Sequence, residues 1–369
     1  MNARKLFSIF FLVFLAVGLA AVSGAYAQAQ MKKETGAMPI TKPLQIKTPL
    51  GLPPVPIPSN NPPTAETIAL GRQLYYDPIL SVDNTVSCAT CHDPQFGFAD
   101  PKLFSEGVGK KVGARQSPTV LNAAYFAVQF WDGRAPSLEK QAEGPVQNPV
   151  EMAHTLTGVE QKLNADPRYR EQFAQAWGSA PITYEMVEKS IASFERTIIS
   201  ANSPFDRWKY GHDEKAVSPT VKRGFIVFNS KKKGNCAVCH TVGNKYALFT
   251  DNKFHNVGIG VDFGQVNDPG LYAVTRNEAD RGKFKTSSLR NIAITAPYMH
   301  DGSLKDLKQV IDFYVGAGNS NPNLDPQIHG LDFLTGQERA DLLAFLNSLT
   351  GEILPNVGPT ERVRTTAQK

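Results

Sequence analysis

The amino-acid sequence predicts a mainly α fold with long loops, laid out as two similar units in tandem. Three observations carry that prediction. Apolar residues recur at helical spacing in several segments, no convincing run alternates as a strand would, and the motif C-x-x-C-H occurs twice. Its two histidines, His92 and His240, lie 148 positions apart, so each copy has roughly a domain of chain to itself.

The chain opens MNARKLFSIFFLVFLAVGLAAVSGAYAQAQ. Arg4 and Lys5 precede an apolar run from Leu6 to Ala21, and Ala25-Tyr26-Ala27 has the small-x-small form of a cleavage site. Residues 1–27 therefore read as a secretory signal peptide, cut after Ala27. The rival reading is an uncleaved membrane anchor, but the run is short for one and ends in small residues. No later stretch is apolar enough to span a bilayer. The mature chain is expected to be exported to the periplasm, without a membrane span. Residues 28–62 are rich in proline, glycine and lysine, with PLGLPPVPIPSNNPP at the end, and read as an extended strap lying along the body.

A weak repeat follows. Gly71-Arg72-Gln73-Leu74-Tyr75 precedes the first motif and Gly224-Phe225-Ile226-Val227-Phe228 the second, each on a predicted helix ending shortly before the cysteines. Thr183 to Ile199 places Val187, Ile191, Phe194 and Ile198 on one helical face. Ser303 is expected to open a helix with Asp306 at its third position, an apolar face of Leu304, Leu307, Val310, Ile311 and Tyr314, and Gly316 as its stop. Thr335-Gly336-Gln337-Glu338 is a capping box, and ADLLAFLNSLTG behind it is a final helix stopped by Gly351.

Composition excludes little: 41% hydrophobic and 20% charged residues suit a soluble globular protein. The net charge of +5 includes Arg4 and Lys5 of the leader, and this mild basicity singles out no nucleic acid partner. Lys231–Lys233 reads as a solvated loop, with a docking patch for an acidic protein as the lesser alternative.

All four cysteines, Cys88, Cys91, Cys236 and Cys239, fall in the two motifs. An exported chain first suggests disulfides. But C-x-x-C-H is the arrangement that attaches c-type haem: two thiols add to the two vinyl groups and the adjacent imidazole reaches the iron. A zinc ribbon would bring its C-x-x-C pairs closer together, and a thioredoxin-type pair needs no histidine. Two covalently bound c-type haems follow, with His92 and His240 as the proximal iron ligands, on two tandem cytochrome c-like haem domains.

With these motifs in place, FWDGRAPSLEKQAEGPVQNPVEM (130–152) and LRNIAITAPYMHDG (289–302) resemble the bacterial di-haem cytochrome c peroxidases and their MauG-type relatives, over about Thr64 to Thr350. The resemblance implies a peroxidatic haem on residues 63–215, an electron-transfer haem on residues 216–355, and a tail, 356–369. It places Trp131 between the haems, where residue type alone suggests a buried core aromatic. It assigns Gln141 and Glu151 to the peroxide pocket. Glu151 can move the proton that leaves one peroxide oxygen and joins the other, and Gln141 can orient peroxide. It also implies a calcium ion on Gln116 and the backbone carbonyls of Thr295 and Pro297. Gln116 stands where asparagine is usual and is one methylene longer.

Two departures from the family pattern matter. In many di-haem peroxidases a Gly-His-Gly loop caps the first iron; here the stretch is Gly107-Val108-Gly109, and no histidine lies between His92 and His154. The first haem is expected to be open to peroxide as isolated. The sixth ligand of the second haem, often methionine, falls on Tyr314, as in MauG-type enzymes; Met299 and His300 are alternatives. A phenolate favours oxidised iron, a thioether reduced iron. His255 has no assigned role beyond packing near the second haem, and His154, His212 and His329 read as surface or structural residues.

The expected function is a periplasmic di-haem peroxidase that reduces hydrogen peroxide with electrons from a small donor protein, a cytochrome c or a cupredoxin. The alternatives are MauG-like oxidation of residues in a partner protein, and a non-catalytic di-haem electron carrier or sensor. A homodimer is an expectation from the resemblance alone.

Overall fold

The computed structural model describes residues 36–178 and 181–359. The leader, the first residues of the strap and most of the tail lie outside them. In chain order the helices are α1 (Ala65–Tyr76), α2 (Cys88–Cys91), α3 (Leu138–Gln147), α4 (Leu156–Ala165), α5 (Pro167–Trp177) and α6 (Tyr184–Glu195). Then come α7 (Pro204–Lys209), α8 (Pro219–Asn229), α9 (Tyr272–Thr275), α10 (Leu307–Val315) and α11 (Gly336–Asn347). Strands are two residues long and pair antiparallel: β1 (Ser200–Ala201) with β6 (Glu352–Ile353), β2 (Phe254–His255) with β5 (Phe284–Lys285), and β3 (Val261–Asp262) with β4 (Gln265–Val266). The mainly α reading holds.

The repeat in the sequence has a physical cause. A methyl group on Gly71 would lie 1.8 Å from the Ser190 carbonyl of α6, and one on Gly224 would lie 1.9 Å from the Asp341 carbonyl of α11. In both places two helices cross with backbone touching backbone, which only hydrogen as a side chain permits. The helix that leads into each C-x-x-C-H is thus docked on a later helix of the same half. Two cores form behind these crossings. One gathers Leu70, Leu74, Phe173, Val187 and Ile191. The other gathers Phe205, Phe228, Phe249, Leu342 and Phe345, where Phe228 and Phe345 rings lie 4.8 Å apart.

Three helix boundaries differ from expectation. The helix predicted over Thr183–Ile199 ends at Glu195. Ile198 is buried beyond that end, where the chain turns into β1. Ser303 does not open α10: Asp306 is the N-cap and accepts from the Gln309 amide, while Tyr298 and Leu304 pair as a bridge that holds residues 298–304 non-helical. The Thr335–Glu338 capping box is present, but α11 stops at Asn347 and caps on Ser348. Gly351 lies past it, in close approach to the Ala201 carbonyl at the β1–β6 pair, where an added methyl would meet that oxygen at 2.5 Å.

The strap lies along the body. Ile40 N–H donates to the Ala176 carbonyl (3.1 Å) and Leu44 N–H to Pro63 (2.7 Å). Leu52 and Val55 join Tyr125, Ile199 and Ala201 in a small core, and the Gly51 carbonyl accepts from Arg290, which also pairs with Asp206. Residues 354–357 return to the first half: Leu354 N–H donates to Ile199, and Tyr76 Oη donates to the Val357 carbonyl at 2.6 Å. No helix of the described residues is long and apolar enough to cross a membrane.

Candidate functional site

The first motif sits on α2. The Ser87 N–H donates to Thr90 Oγ1 (3.0 Å) at its start, and His92 caps its end by donating its N–H to the Cys88 carbonyl (3.0 Å). Tyr75 Oη donates to the His92 carbonyl (3.2 Å). The His92 ring is enclosed, its Nδ1 has no hydrogen-bond partner, and burial holds its pKa below the usual value. An imidazole held neutral is what a metal ligand requires.

The second motif sits on a 3-10 turn, Cys236–Val238, that His240 closes by donating its N–H to Cys236 (2.9 Å). His240 Nδ1 lies 2.9 Å from the Phe249 carbonyl. A carbonyl only accepts, so Nδ1 carries the proton and Nε2 is left as the metal-binding nitrogen. The ring faces a cavity of about 250 Å³ lined by Cys236, Cys239 and His240 together with Leu307, Ile311, Tyr314 and Leu342. The share of liquid volume of one water is about 30 Å³. A largely apolar void of this size in an otherwise close-packed interior is built for a large group. All four thiols are unpaired, and burial raises Cys91 to about 11 and Cys236 to about 12. Free thiols, adjacent neutral imidazoles and the cavity fit two covalently held haems.

Tyr314 reaches this cavity from α10, its phenol pushed well up by burial and by the nearby Cys236 and Cys239. Its hydroxyl has no hydrogen-bond partner among the described residues. Met299 and His300, the alternative ligands, line the same cavity. His300 lies flat on Phe284, with centroids 3.6 Å apart and planes at 13°, and burial lowers its pKa to about 4. Gln116, Thr295, Pro297 and Trp131 line the cavity as well. The Trp131 indole donates to the Gln116 carbonyl (2.8 Å), and the Gln116 amide Nε2 donates to the Asp100 carbonyl (3.1 Å), which leaves Gln116 Oε1 as an acceptor.

Glu151 lies near Cys91, and neither it nor Gln141 lines that cavity. Gln141 projects from α3, and the chain folds back after α3 so that Glu151 Oε1 accepts from Asn148 Nδ2 (2.6 Å). Burial raises the Glu151 pKa, against the Asn148 hydrogen bond and the Arg134 charge. Its charge is felt at Cys91. The loop Gly107-Val108-Gly109 is seated on this turn. Val108 N–H donates to the Glu151 carbonyl (2.8 Å), and a methyl on Gly107 would meet the Val150 carbonyl at 2.2 Å. Val108 packs on the same core as Cys88. Phe130 covers Gly144 of α3, while its neighbour Trp131 lines the cavity.

His255 is better placed than sequence reading indicated. Its ring lies between Asp325 (2.5 Å) and Asp251 (2.9 Å), and the Cys239 thiol and these two carboxylates raise its pKa to about 10. Cys239, Asp251 and His255 have metal-binding spacing, but attachment of haem uses that sulfur. His329 is exposed yet lines the cavity. His154 accepts from Thr155 N–H at Nδ1 (2.8 Å) as a local structural residue. Two cavity residues escaped sequence reading: Phe284, marked by nothing but an apolar position, and Lys285, whose type suggests solvent.

Comparison with known proteins agrees with this arrangement. Residues 65–214 match the family model described as di-haem cytochrome c peroxidase. The chain is 42% identical to the methylamine utilization protein MauG of Methylorubrum extorquens, over 81% of this chain and 82% of that one. It is 37% identical to the cytochrome c551 peroxidase of Pseudomonas aeruginosa, over 77% and 78%. Among solved structures, a MauG-like protein associated with microbial copper homeostasis superimposes with a TM-score of 0.75 at 32% identity, covering 83% of this chain and 95% of that one.

Proposed function

The chain belongs to the di-haem cytochrome c peroxidase family, and on that premise we propose that it reduces hydrogen peroxide to two waters in the periplasm, taking two electrons from a small redox protein and two protons. When bound, the haems supply iron that takes peroxide at one site and electrons at the other. Cys88, Cys91 and His92 would hold the first, and Cys236, Cys239 and His240 the second.

The single observation that carries this reading is the loop 107–109 seated on the Glu151 turn. It brings a valine, which cannot ligate metal, to the place where Glu151 is held. The Glu151 carboxylate takes the proton from the peroxide oxygen that binds and returns it to the oxygen that leaves, with Asn148 fixing its orientation. Its raised pKa makes it a stronger base than an exposed carboxylate. The Gln141 amide orients peroxide. Trp131, pinned by its bond to Gln116, lies on the path between the sites. Tyr314, which lines the second cavity together with His240, would be a further ligand for the second haem. We assign Gln116 Oε1 and the carbonyls of Thr295 and Pro297 to a calcium ion, whose preference for amide and carbonyl oxygens they suit.

The phenol of Tyr314 also favours a second reading, MauG-like oxidation of residues in a partner protein, because an anionic oxygen donor stabilises highly oxidised iron. A carrier or sensor has no use for a buried base beside an open face.

The test is peroxide added to the fully oxidised, haem-loaded protein. We expect an immediate change in the haem spectrum, and electron paramagnetic resonance showing one high-spin and one low-spin centre. Steady turnover with a reduced cytochrome supports the peroxidase; slow donor oxidation with a long-lived oxidised state supports the second reading. Two low-spin centres indifferent to peroxide would leave only an electron carrier.

A further inference from the structure

Lys285 is a buried cation with no protein anion to answer it. It sits on β5, is 8% exposed, and places its Nζ 3.5 Å from the centroid of the Phe126 ring. No carboxylate, hydroxyl or carbonyl accepts from that amine among the described residues. An aromatic face offsets only part of the cost of taking an ammonium out of water. With protein neighbours alone, burial takes the group down to about 7.

Its position gives the missing partner. The Lys285 N–H donates to the Trp131 carbonyl (2.9 Å), so the residue lies where β5 meets the tryptophan between the sites. Phe284, Lys285, Thr286, Ser287 and Ser288 form one wall of the cavity that His240 faces. Among the described residues lining that cavity, Lys285 is the one lysine or arginine, and none is aspartate or glutamate. The Trp131 indole N–H, the other strong donor nearby, is already committed to Gln116. Haem brings two propionates, on the edge opposite the vinyl groups that Cys236 and Cys239 take. A dianionic group thus enters a cavity with a single unanswered fixed cation in its wall.

We infer that Lys285 is the counter-ion of a propionate of the second haem, and that its charge raises the reduction potential of that haem. This rests on the di-haem reading, and it assigns Lys285 a positioning and electrostatic role, not one in bond breaking. A charge-assisted pair of this kind is stronger than a neutral hydrogen bond, and it keeps the amine protonated.

The test uses the haem-loaded protein with Lys285→Met, which keeps length and loses charge, and Lys285→Arg, which keeps charge and changes donor shape. Haem stoichiometry is checked first by the pyridine haemochrome spectrum. Potentiometric titration then follows both haems, and resonance Raman follows the propionate bending modes. We expect Lys285→Met to lower the potential of the second haem, leave the first within error, and move one propionate mode. Lys285→Arg should hold the potential and still move the mode. A Lys285→Met protein with both potentials and all propionate modes unchanged overturns the inference, as does a change confined to the first haem. If Lys285→Met does not accumulate with two haems, Lys285→Arg decides: an unmoved propionate mode overturns the pairing. Peroxide reactivity of the unmodified protein is read separately, so either conclusion can fall while the other stands.

Discussion

The two C-x-x-C-H sites share a motif and an approach, and differ in what surrounds them. Each follows a helix docked through a glycine, Gly71 or Gly224, onto a later helix. Around His240 the protein builds an apolar cavity with no acid in its described lining, anchors the imidazole on Phe249, and brings in the Tyr314 phenol. Around His92 it builds a turn that buries a carboxylate, Glu151, and seats on it a loop whose side chain is valine. One scaffold therefore gives the same motif two different surroundings, one apolar with a phenol and one with a carboxylate. The difference lies in loops, the segments most free to vary over a fixed frame.

The largest test of this contrast is Glu151→Gln. General acid–base groups contribute about 10²- to 10⁴-fold, and we expect a loss of that order in the rate of the peroxide reaction by stopped flow, with both haems retained. The unmodified protein should show a rate that rises with pH through a limb above the ordinary carboxylate range. The working form is the carboxylate, and burial raises its pKa; the variant should lose that limb. Unchanged kinetics would remove Glu151 from the first site.

Next in size is Tyr314→Met at the second site. A thioether in place of a phenolate favours reduced iron, so the second haem's potential should rise while the peroxide reaction at the first keeps its initial rate. Potentiometry with both haems resolved checks this, and no shift would show that the tyrosine is not bound. The smallest effect probes what the sites share. Gly71→Ala and Gly224→Ala each push a methyl into a helix carbonyl, and overpacking of this kind costs about 1–3 kcal/mol. Thermal unfolding should show similar losses for both. A loss in one alone would mean that the two crossings are not equivalent.

Much of the frame was legible from sequence because its signals are local. The cysteine spacing, the Thr335–Glu338 box and the apolar face of α6 each fit within a few turns of chain. The misreadings came from tertiary pairing. Ser303 was a plausible cap until the 298–304 bridge claimed that segment, and Gly351 serves a close approach to Ala201 instead of a helix end. Glu151 and Gln141 carry no local mark of a site; resemblance pointed to them, and the turn after α3 shows how Glu151 is held. Lys285 was not legible at all, since its burial depends on Phe126, Trp131 and a cavity assembled from segments more than a hundred residues apart.

The return of residues 354–358 onto α1 and the end of α6 has a mechanical consequence. The polypeptide leaves the first half at about residue 202 and comes back at about 352, where β1 and β6 meet side by side. The second half is thus suspended from two adjacent attachment points, with the strap clasping it as well, and lacks the swivel that a single linker leaves between domains. Moving one cysteine motif relative to the other would therefore require breaking the β1–β6 pair or the strap's hold on Arg290.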